Sequence, residues 1–112
     1  MSQDNIAADL TAFKNNASIV YSFVSNDSIL YIGKTNQTLE RRIYGYQNPG
    51  PTQRTNIRVN SLIHERLEAK EEIIIFILID NCKLGYHGIP INLAAGIEDN
   101  LISQFKPKWN LR

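Results

Sequence analysis

Two runs of β-branched and aromatic residues, separated by a short polar segment, constrain the fold of this chain more than any other feature. Residues 18–23 and 29–33 have the composition of β-strands. The segment between them, residues 25–28, reads Ser-Asn-Asp-Ser, and these residue types favour turns. The pattern therefore predicts an antiparallel β-hairpin near the beginning of the chain.

A third strand is predicted at the Ile-rich run of residues 72–80. The run is rich in β-branched residues, and its apolar part is far shorter than the roughly 20 residues needed to span a bilayer. A continuous apolar run of this length is typical of a strand that is buried on both faces. We expect it to be the central strand of the sheet.

Helices are predicted before, between and after these strands. Apolar residues at helical spacing indicate a short helix over residues 5–14, a second that opens at Thr38-Leu39, and a third capped by Thr55 or Asn56. Residues 47–55 between the last two are expected to form a basic, flexible loop. A final helix is predicted from about residue 92 to 105, before Pro107.

The expected fold is therefore a single α/β (α+β) domain. It has a small three-stranded mixed or antiparallel sheet that begins with the hairpin and is flanked by helices. The 112 residues leave no room for a second domain, so residues 1–17 are read as a helical extension and residues 18–110 as the core. Cys82, the single cysteine, excludes an internal disulfide, and without a signal segment or membrane span a cytoplasmic location is expected.

Charge is distributed unevenly along the chain. The net charge is only +1, but residues 31–60 contain five basic residues and one acidic residue, a net +4. Residues 61–80 carry a net −3. This asymmetry can present a basic face to a polyanion, although such blocks are also typical of ordinary solvated surfaces.

Glu98 is placed unusually for a carboxylate. Its neighbours at helical spacing are all apolar: Ala94, Ala95, Leu101 and Ile102. Burying an unpaired carboxylate costs several kcal/mol. Glu98 is therefore expected to pair with an arginine, to reach water, or to bind a hard metal ion such as Mg²⁺, which needs only one or two protein carboxylates.

Tyr21 and Tyr31 lie on the two strands of the predicted hairpin and can share one face of the sheet. Such tyrosines usually serve packing. A tyrosine acts as a base near neutral pH only where positive charge stabilises its phenolate, and Lys34 and Arg42 are the candidates here. The Gly-Lys-Thr at residues 33–35 is not a phosphate-binding P-loop, because Ile29 stands where that loop needs a glycine.

Five stretches, taken in order along the chain, resemble the GIY-YIG nuclease family. They are Ile19-Val20-Tyr21, Tyr31-Ile32-Gly33, Arg42 with Ile43 and Tyr46, Glu98, and Asn110 in the ending Pro-Lys-Trp-Asn. The resemblance covers residues 18–110 and is nearest to small stand-alone phage and restriction-type members. Ile19 replaces the family's first glycine, and one extra residue before the arginine makes Arg41 a rival to Arg42, which keeps the family's spacing.

The resemblance implies an endonuclease that hydrolyses DNA phosphodiester bonds with one Mg²⁺ or Mn²⁺ ion per active site, leaving 5′-phosphate and 3′-hydroxyl ends. Glu98 would bind the metal, and Arg42 would neutralise the scissile phosphate. Tyr21 would accept a proton from the attacking water with support from Tyr31, and the reverse assignment stays open. The residues that would position phosphate, water or Glu98 are Lys34, Tyr46, His64 and Asn110.

The resemblance also implies how the protein would meet its substrate. Arg41, Arg54 and Arg58 would contact the nucleic-acid backbone, the last two in or beside the loop at residues 47–55. The substrate is expected to be DNA, with RNA as the other polymer of this chemistry. A double-strand break would need a homodimer or two successive cuts. The alternative is a binding module of the same fold that has lost catalysis or that works as a subunit of a repair or restriction assembly.

Overall fold

A computed structural model of the chain describes residues 6–10, 17–79, 85–90 and 93–111. The elements within these ranges are β1 (Ala17–Ser25), β2 (Ser28–Thr38), α1 (Leu39–Gln47), α2 (Arg54–Glu68), β3 (Ile74–Ile79), β4 (Gly85–Tyr86), β5 (Ile89–Pro90) and α3 (Leu93–Phe105). Strands β2, β1 and β3 form an antiparallel sheet in that order, and β4 pairs with β5. The predicted α+β class, the hairpin and the three strands of the sheet are confirmed.

The hairpin turn forms because two residues tolerate a left-handed backbone. Asn26 and Asp27 have φ angles of 51° and 62°. Positive φ at both central residues of a two-residue loop is the type I′ turn, whose twist matches that of the flanking strands. A bulge between Phe23 and Val24 then shifts the register by one residue, so that Tyr21 lies opposite Gly33 and Phe23 opposite Tyr31.

Helices cover both faces of the sheet. Side chains alternate between the two faces of a strand, so Tyr21 and Phe23 of β1 join a core with α1 and α2, whereas Val20 of β1 and Ile32 of β2 pack against α3. From the helices, the first core takes Leu39, Ile43, Tyr46, Val59 and Ile63. The second takes Ile97, Leu101 and Ile102 of α3.

The prediction that the Ile-rich run is the central strand is wrong. The centre is β1, which pairs with both neighbours, and β3 is at an edge of the sheet. Ile75 and Ile77 pack on the first core, but Ile74, Phe76 and Leu78 on the other face are 47%, 57% and 47% exposed. Continuous apolar sequence does not distinguish a strand buried on both faces from one that leaves an apolar face in solvent.

Two predictions about helices are corrected as well. Within the helix predicted for residues 5–14, residues 6–10 are not helical, and the others lie outside the described residues. The Gln47 side-chain amide donates to the Ile6 carbonyl at 2.8 Å. This bond gives the Ile6 carbonyl a hydrogen-bond partner outside a helix. Helix α2 begins at Arg54, so Thr55 and Asn56 are not its cap, and Gln53 at the cap position makes no side-chain capping bond.

The end of the chain runs beside β2. The Trp109 N–H donates to the Leu30 carbonyl at 2.8 Å, and the Trp109 side chain is buried in the first core. Helix α3 ends at Phe105, and Lys106 adopts a φ of 46° before Pro107. The predicted stop before this proline is confirmed. Among the helices described here, none is long and apolar enough to cross a membrane.

Candidate active site

Three side chains meet at the inner face of the sheet in one hydrogen-bonded cluster. The hydroxyl oxygens of Tyr21 and Tyr46 are 2.6 Å apart. Arg42 Nε donates to the Tyr21 oxygen at 3.0 Å, and Arg42 Nη2 donates to the Tyr46 oxygen at 2.6 Å. The Nε–Nη2 edge of the guanidinium therefore hydrogen-bonds both phenol hydroxyls. We call these three residues the tyrosine–arginine cluster.

Gly33 makes room for this arrangement. It lies directly across from Tyr21 in the β1–β2 register. A Cβ built on Gly33 would lie 2.5 Å from the Tyr21 hydroxyl and 3.0 Å from the ring of Tyr31. A glycine is thus required at this position for the Tyr21 ring to pass over β2.

The first helix supplies the other two members of the cluster. Thr38 caps α1 by accepting from the Arg41 N–H at 3.2 Å. Arg42 and Tyr46 are four residues apart, so they lie on the same side of α1. The Arg42 guanidinium carbon is 4.2 Å from the centre of the Tyr46 ring, a cation–π contact.

Asn56 is a member of the site that the sequence did not reveal. It is 7% exposed, and its Oδ1 accepts from Arg42 Nη1 at 3.1 Å. Its Nδ2 donates to Gln53 Oε1 at 3.1 Å. The only sequence signal at this position was the tendency of asparagine to cap helices, which points to the backbone rather than to Arg42.

Burial and positive charge oppose each other at Tyr21. Burial raises the pKa of Tyr21 to about 12, although the charge of Arg42 and the hydrogen bond from Tyr46 both act to lower it. Burial and the neighbouring Tyr21 raise the pKa of Tyr46 well above its ordinary value. Burial therefore disfavours the ionised form of both phenols, and Arg42 opposes this effect at each.

Tyr31 lies beside the cluster and is less buried. Its ring centre is 6.4 Å from that of Tyr21 and 6.2 Å from that of Tyr46. Phe23 and Trp109 extend the same group of rings, with centres 6.5 Å apart. The aromatic packing keeps water from the inner side of the cluster, and Tyr31 is its partly exposed member.

Glu98 lies on α3 and Lys34 on β2. Glu98 is partly buried on α3, which packs against the face opposite the Tyr21 ring. Lys34 pairs with Val20 in the register, so it belongs to the α3 face, and it is exposed. His64 is partly exposed on α2, beside the core residue Ile63. The roles of these three residues stay predictions.

Asn110 binds backbone of β2. Its Oδ1 accepts from the Ile32 N–H and its Nδ2 donates to the Ile32 carbonyl, both at 2.9 Å. The side-chain amide thus completes hydrogen bonds along β2 as a neighbouring strand would. In this position Asn110 fixes the strand that carries Tyr31 and Gly33, and a direct role toward phosphate or water stays a prediction.

Of the arginines predicted to contact the nucleic-acid backbone, Arg41 lines a groove of about 500 Å³ between α1 and the segment before α2. Arg42 lines the same groove. Arg54 is the first residue of α2 and exposed, and Arg58 follows one turn later, partly exposed. Both therefore belong to a helix and not to the predicted loop. Since Arg42 contacts the tyrosines and Arg41 is exposed, the geometry favours Arg42 as the arginine of the site.

The donor set fits a hard metal ion held mainly by water and substrate. Among the described residues there is no group of three or more His, Cys, Asp and Glu side chains that could hold a metal. A fully protein-built metal centre is therefore absent from that part of the chain. A single partly buried carboxylate such as Glu98 suits Mg²⁺, which commonly keeps several waters and binds substrate phosphate oxygens.

Solved structures of similar fold were found by comparison. A point mutant of bacteriophage T4 EndoII superimposes with a TM-score of 0.69 at 24% identity, over 92% of this chain and 80% of that chain. The GIY-YIG N-terminal endonuclease domain of UvrC from Thermotoga maritima, bound to its catalytic divalent cation, magnesium, gives a TM-score of 0.57 at 22% identity, over 91% of both chains. A Tyr-to-Phe mutant of the same domain gives 0.58 at 21% identity, over 92% of this chain and 91% of that chain.

Comparison of the sequence itself gave no match. No family model matches the chain, and no curated protein does. The likeness therefore resides in the arrangement of the strands and helices. The fold of this chain is that of the GIY-YIG nucleases.

Proposed function

We propose that this chain is a metal-dependent endonuclease that hydrolyses DNA phosphodiester bonds. The proposal rests on the two hydrogen bonds that Arg42 donates to the hydroxyl oxygens of Tyr21 and Tyr46. They occur in a chain whose fold is similar to that of T4 EndoII. A guanidinium held in this way provides positive charge both to a phenolate and to a phosphate. The concentration of basic residues in positions 31–60 supports a polyanionic substrate.

The proposed reaction uses Tyr21 as the base. Tyr21 takes a proton from a water molecule as the water oxygen bonds to phosphorus and the bond from phosphorus to the 3′ oxygen breaks. The products are a 5′-phosphate and a 3′ oxygen that takes a proton from solvent. In this scheme Tyr21 reacts as its phenolate, and the charge of Arg42 opposes the burial that raises the pKa of Tyr21 to about 12.

Two N–H groups of Arg42 are left for the substrate. A guanidinium has five N–H donors, and Tyr21, Tyr46 and Asn56 take three of them. The two that remain, one on Nη1 and one on Nη2, can donate to oxygens of the scissile phosphate. Arg42 therefore links the base and the phosphate in one rigid group.

Tyr31 is the second candidate for the base. Tyr21 is 1% exposed and its oxygen already contacts Tyr46 and Arg42, whereas Tyr31 is partly exposed. Access to water therefore favours Tyr31, and contact with Arg42 favours Tyr21. Tyr21→Phe and Tyr31→Phe distinguish the two, because the variant that lacks the base should lose about 10²–10⁴ in rate.

In the proposed enzyme, Glu98 holds the divalent cation. When bound, Mg²⁺ or Mn²⁺ supplies electrostatic stabilisation of the charge that develops on the phosphate and the leaving oxygen. One carboxylate is sufficient for a site of this kind, because water and phosphate oxygens complete the coordination. Lys34 and His64 are proposed to contact the substrate, and Arg41, Arg54 and Arg58 its backbone.

The test is cleavage of supercoiled plasmid in Mg²⁺, followed by mapping of the ends on a defined duplex. The wild type should nick the plasmid and leave 5′-phosphates, Arg42→Ala should be severely impaired, and Glu98→Gln should not cut. Glu65→Gln, which changes an exposed glutamate on α2 outside the groove, is the matched control and should cut normally. Binding without cleavage by the wild type would favour the inactive binding module instead, and cleavage by Glu98→Gln would contradict the metal role.

A further inference from the structure

We propose that Asn56 is a positioning residue that fixes the guanidinium of Arg42, and that it does so as one end of a short chain of hydrogen bonds from the loop before α2. The inference rests on the proposed function, since it assigns a task to Asn56 in the same site. It starts from a buried polar side chain whose two amide atoms are both used.

The hydrogen bonds connect the loop to the arginine through Gln53 Oε1, which accepts from both sides. The Gly50 N–H donates to Gln53 Oε1 at 2.8 Å, and the same oxygen accepts from Asn56 Nδ2 at 3.1 Å. Asn56 Oδ1 is thereby oriented toward Arg42 Nη1, at 3.1 Å. Reversing the Asn56 amide would place two donors against each other at Arg42 and two acceptors against each other at Gln53, so the network allows one orientation only.

Asn56 controls the end of the guanidinium that the tyrosines do not hold. Tyr21 and Tyr46 bind Nε and Nη2, and without Asn56 the Nη1 end has no hydrogen-bond partner among the described contacts. The plane of the guanidinium could then rotate about the bonded edge. Asn56 therefore decides where the two N–H groups left for a phosphate point.

Gly45 leaves the space in which this contact forms. A Cβ on Gly45 would lie 3.2 Å from Asn56 Nδ2 and 3.4 Å from Arg42 Nη1. Any larger residue would press on the two atoms that the network aligns.

Asn60 provides a matched control one turn further along α2. Its Nδ2 donates to the Tyr46 carbonyl at 2.7 Å and lies 3.5 Å from the Gln47 carbonyl, so it ties α2 to α1 without contacting Arg42. Asn60→Leu should lower the stability of the protein as Asn56→Leu does. If Asn56 only joins the two helices, the two variants should behave alike in every assay.

The test measures plasmid nicking at a temperature where every variant is folded by circular dichroism. Asn56→Leu should lower kcat by about tenfold to a hundredfold with little change in KM, because a misplaced arginine affects the transition state. Gln53→Ala should give a smaller loss in the same direction, and Asn60→Leu should keep the wild-type kcat. In the Arg42→Lys background, Asn56→Leu should have no further effect, since lysine lacks Nη1.

A second measurement does not depend on cleavage. In ¹⁵N NMR spectra, the Arg42 Nε–H proton should exchange with water faster in Asn56→Leu than in the wild type or Asn60→Leu, because its bond to Tyr21 opens more often. Unchanged exchange and unchanged kcat in Asn56→Leu would overturn the inference. If the Arg42 Nε–H proton exchanges faster in Asn56→Leu but the wild-type protein does not cleave DNA, the positioning role of Asn56 is supported and only the proposed function is contradicted.

Discussion

Gly33 shows how a single residue type makes the tyrosine–arginine cluster possible. A Cβ at this position would lie 2.5 Å from the Tyr21 hydroxyl and 2.6 Å from its ring, distances that real Cβ atoms do not adopt. Gly33→Ala should therefore displace Tyr21, lower the free energy of unfolding by about 1–3 kcal/mol and lower nicking activity at least tenfold. Urea unfolding and plasmid nicking measure the two effects. Gly96→Ala in α3 is the control, because a Cβ built on Gly96 has no neighbouring atom within 4 Å. This substitution should leave nicking activity unchanged, and it should leave the free energy of unfolding equal or raise it.

The ionisation of Tyr21 makes a testable contribution to stability at high pH. Burial raises its pKa to about 12 in the folded protein, above the value of about 10 in an unfolded chain. Between pH 10 and 12 the unfolded chain has lost the Tyr21 proton that the folded protein keeps, so Tyr21 should lower the free energy of unfolding by about 1.4 kcal/mol per pH unit. Tyr46, whose pKa is also raised, should add to this fall. Urea unfolding at stepped pH should show this fall in the wild type and a weaker one in Tyr21→Phe. Tyr44→Phe, which removes an exposed tyrosine, should follow the wild type.

At the level of elements, the end of α2 is a left-handed cap occupied by a lysine. Lys70 has a φ of 63°, its N–H donates to the Leu67 carbonyl, and the Glu71 N–H donates to the Arg66 carbonyl, which together form a Schellman motif. Glycine adopts this conformation without the Cβ penalty, so Lys70→Gly should raise the free energy of unfolding by up to about 1 kcal/mol. Ala69→Gly, one residue earlier at a φ of −78°, should lower it. Equal effects of the two substitutions in urea unfolding would contradict the capping argument.

Local sequence patterns predicted most of the strands and helices. The features that depend on contacts between distant parts of the chain could not be predicted in the same way. The hairpin was predictable because its turn residues and strands are adjacent. The edge position of β3 was not predictable, because it depends on which strands pair with β1. Tyr21 of β1 and its partner Ile77 of β3 are more than 50 positions apart in the sequence. In the site, Tyr21 and Arg42 could be proposed from residue type and resemblance. Asn56 could not, since its partner is 14 residues away on another helix.

On the scale of the whole molecule, charge differs between two consecutive segments of the chain. The net +4 of residues 31–60 belongs to β2, α1 and the first part of α2, and the net −3 of residues 61–80 comes from the rest of α2, the residues between α2 and β3, and Asp80. Glu71 accepts from Arg66 at 2.9 Å and from the Asn26 side chain at 2.7 Å, so part of the acidic segment is neutralised where α2 meets the hairpin turn. A polyanion is therefore expected to contact α1 and the first part of α2, which carry four of the five basic residues of the positive segment.

Two arginines of α2 test this polarity. Arg58 lies in the basic segment, whereas Arg66 lies in the acidic one and is paired with Glu71. In EDTA, which prevents cleavage, Arg58→Gln should weaken binding to duplex DNA and reduce the slope of log K against log salt by about 1. Arg66→Gln should leave that slope unchanged even though it removes the same formal charge. The two variants should differ because counterion release counts only the cations that reach phosphates. If both variants reduce the slope equally, the net charge of the protein governs binding rather than the placement of its arginines.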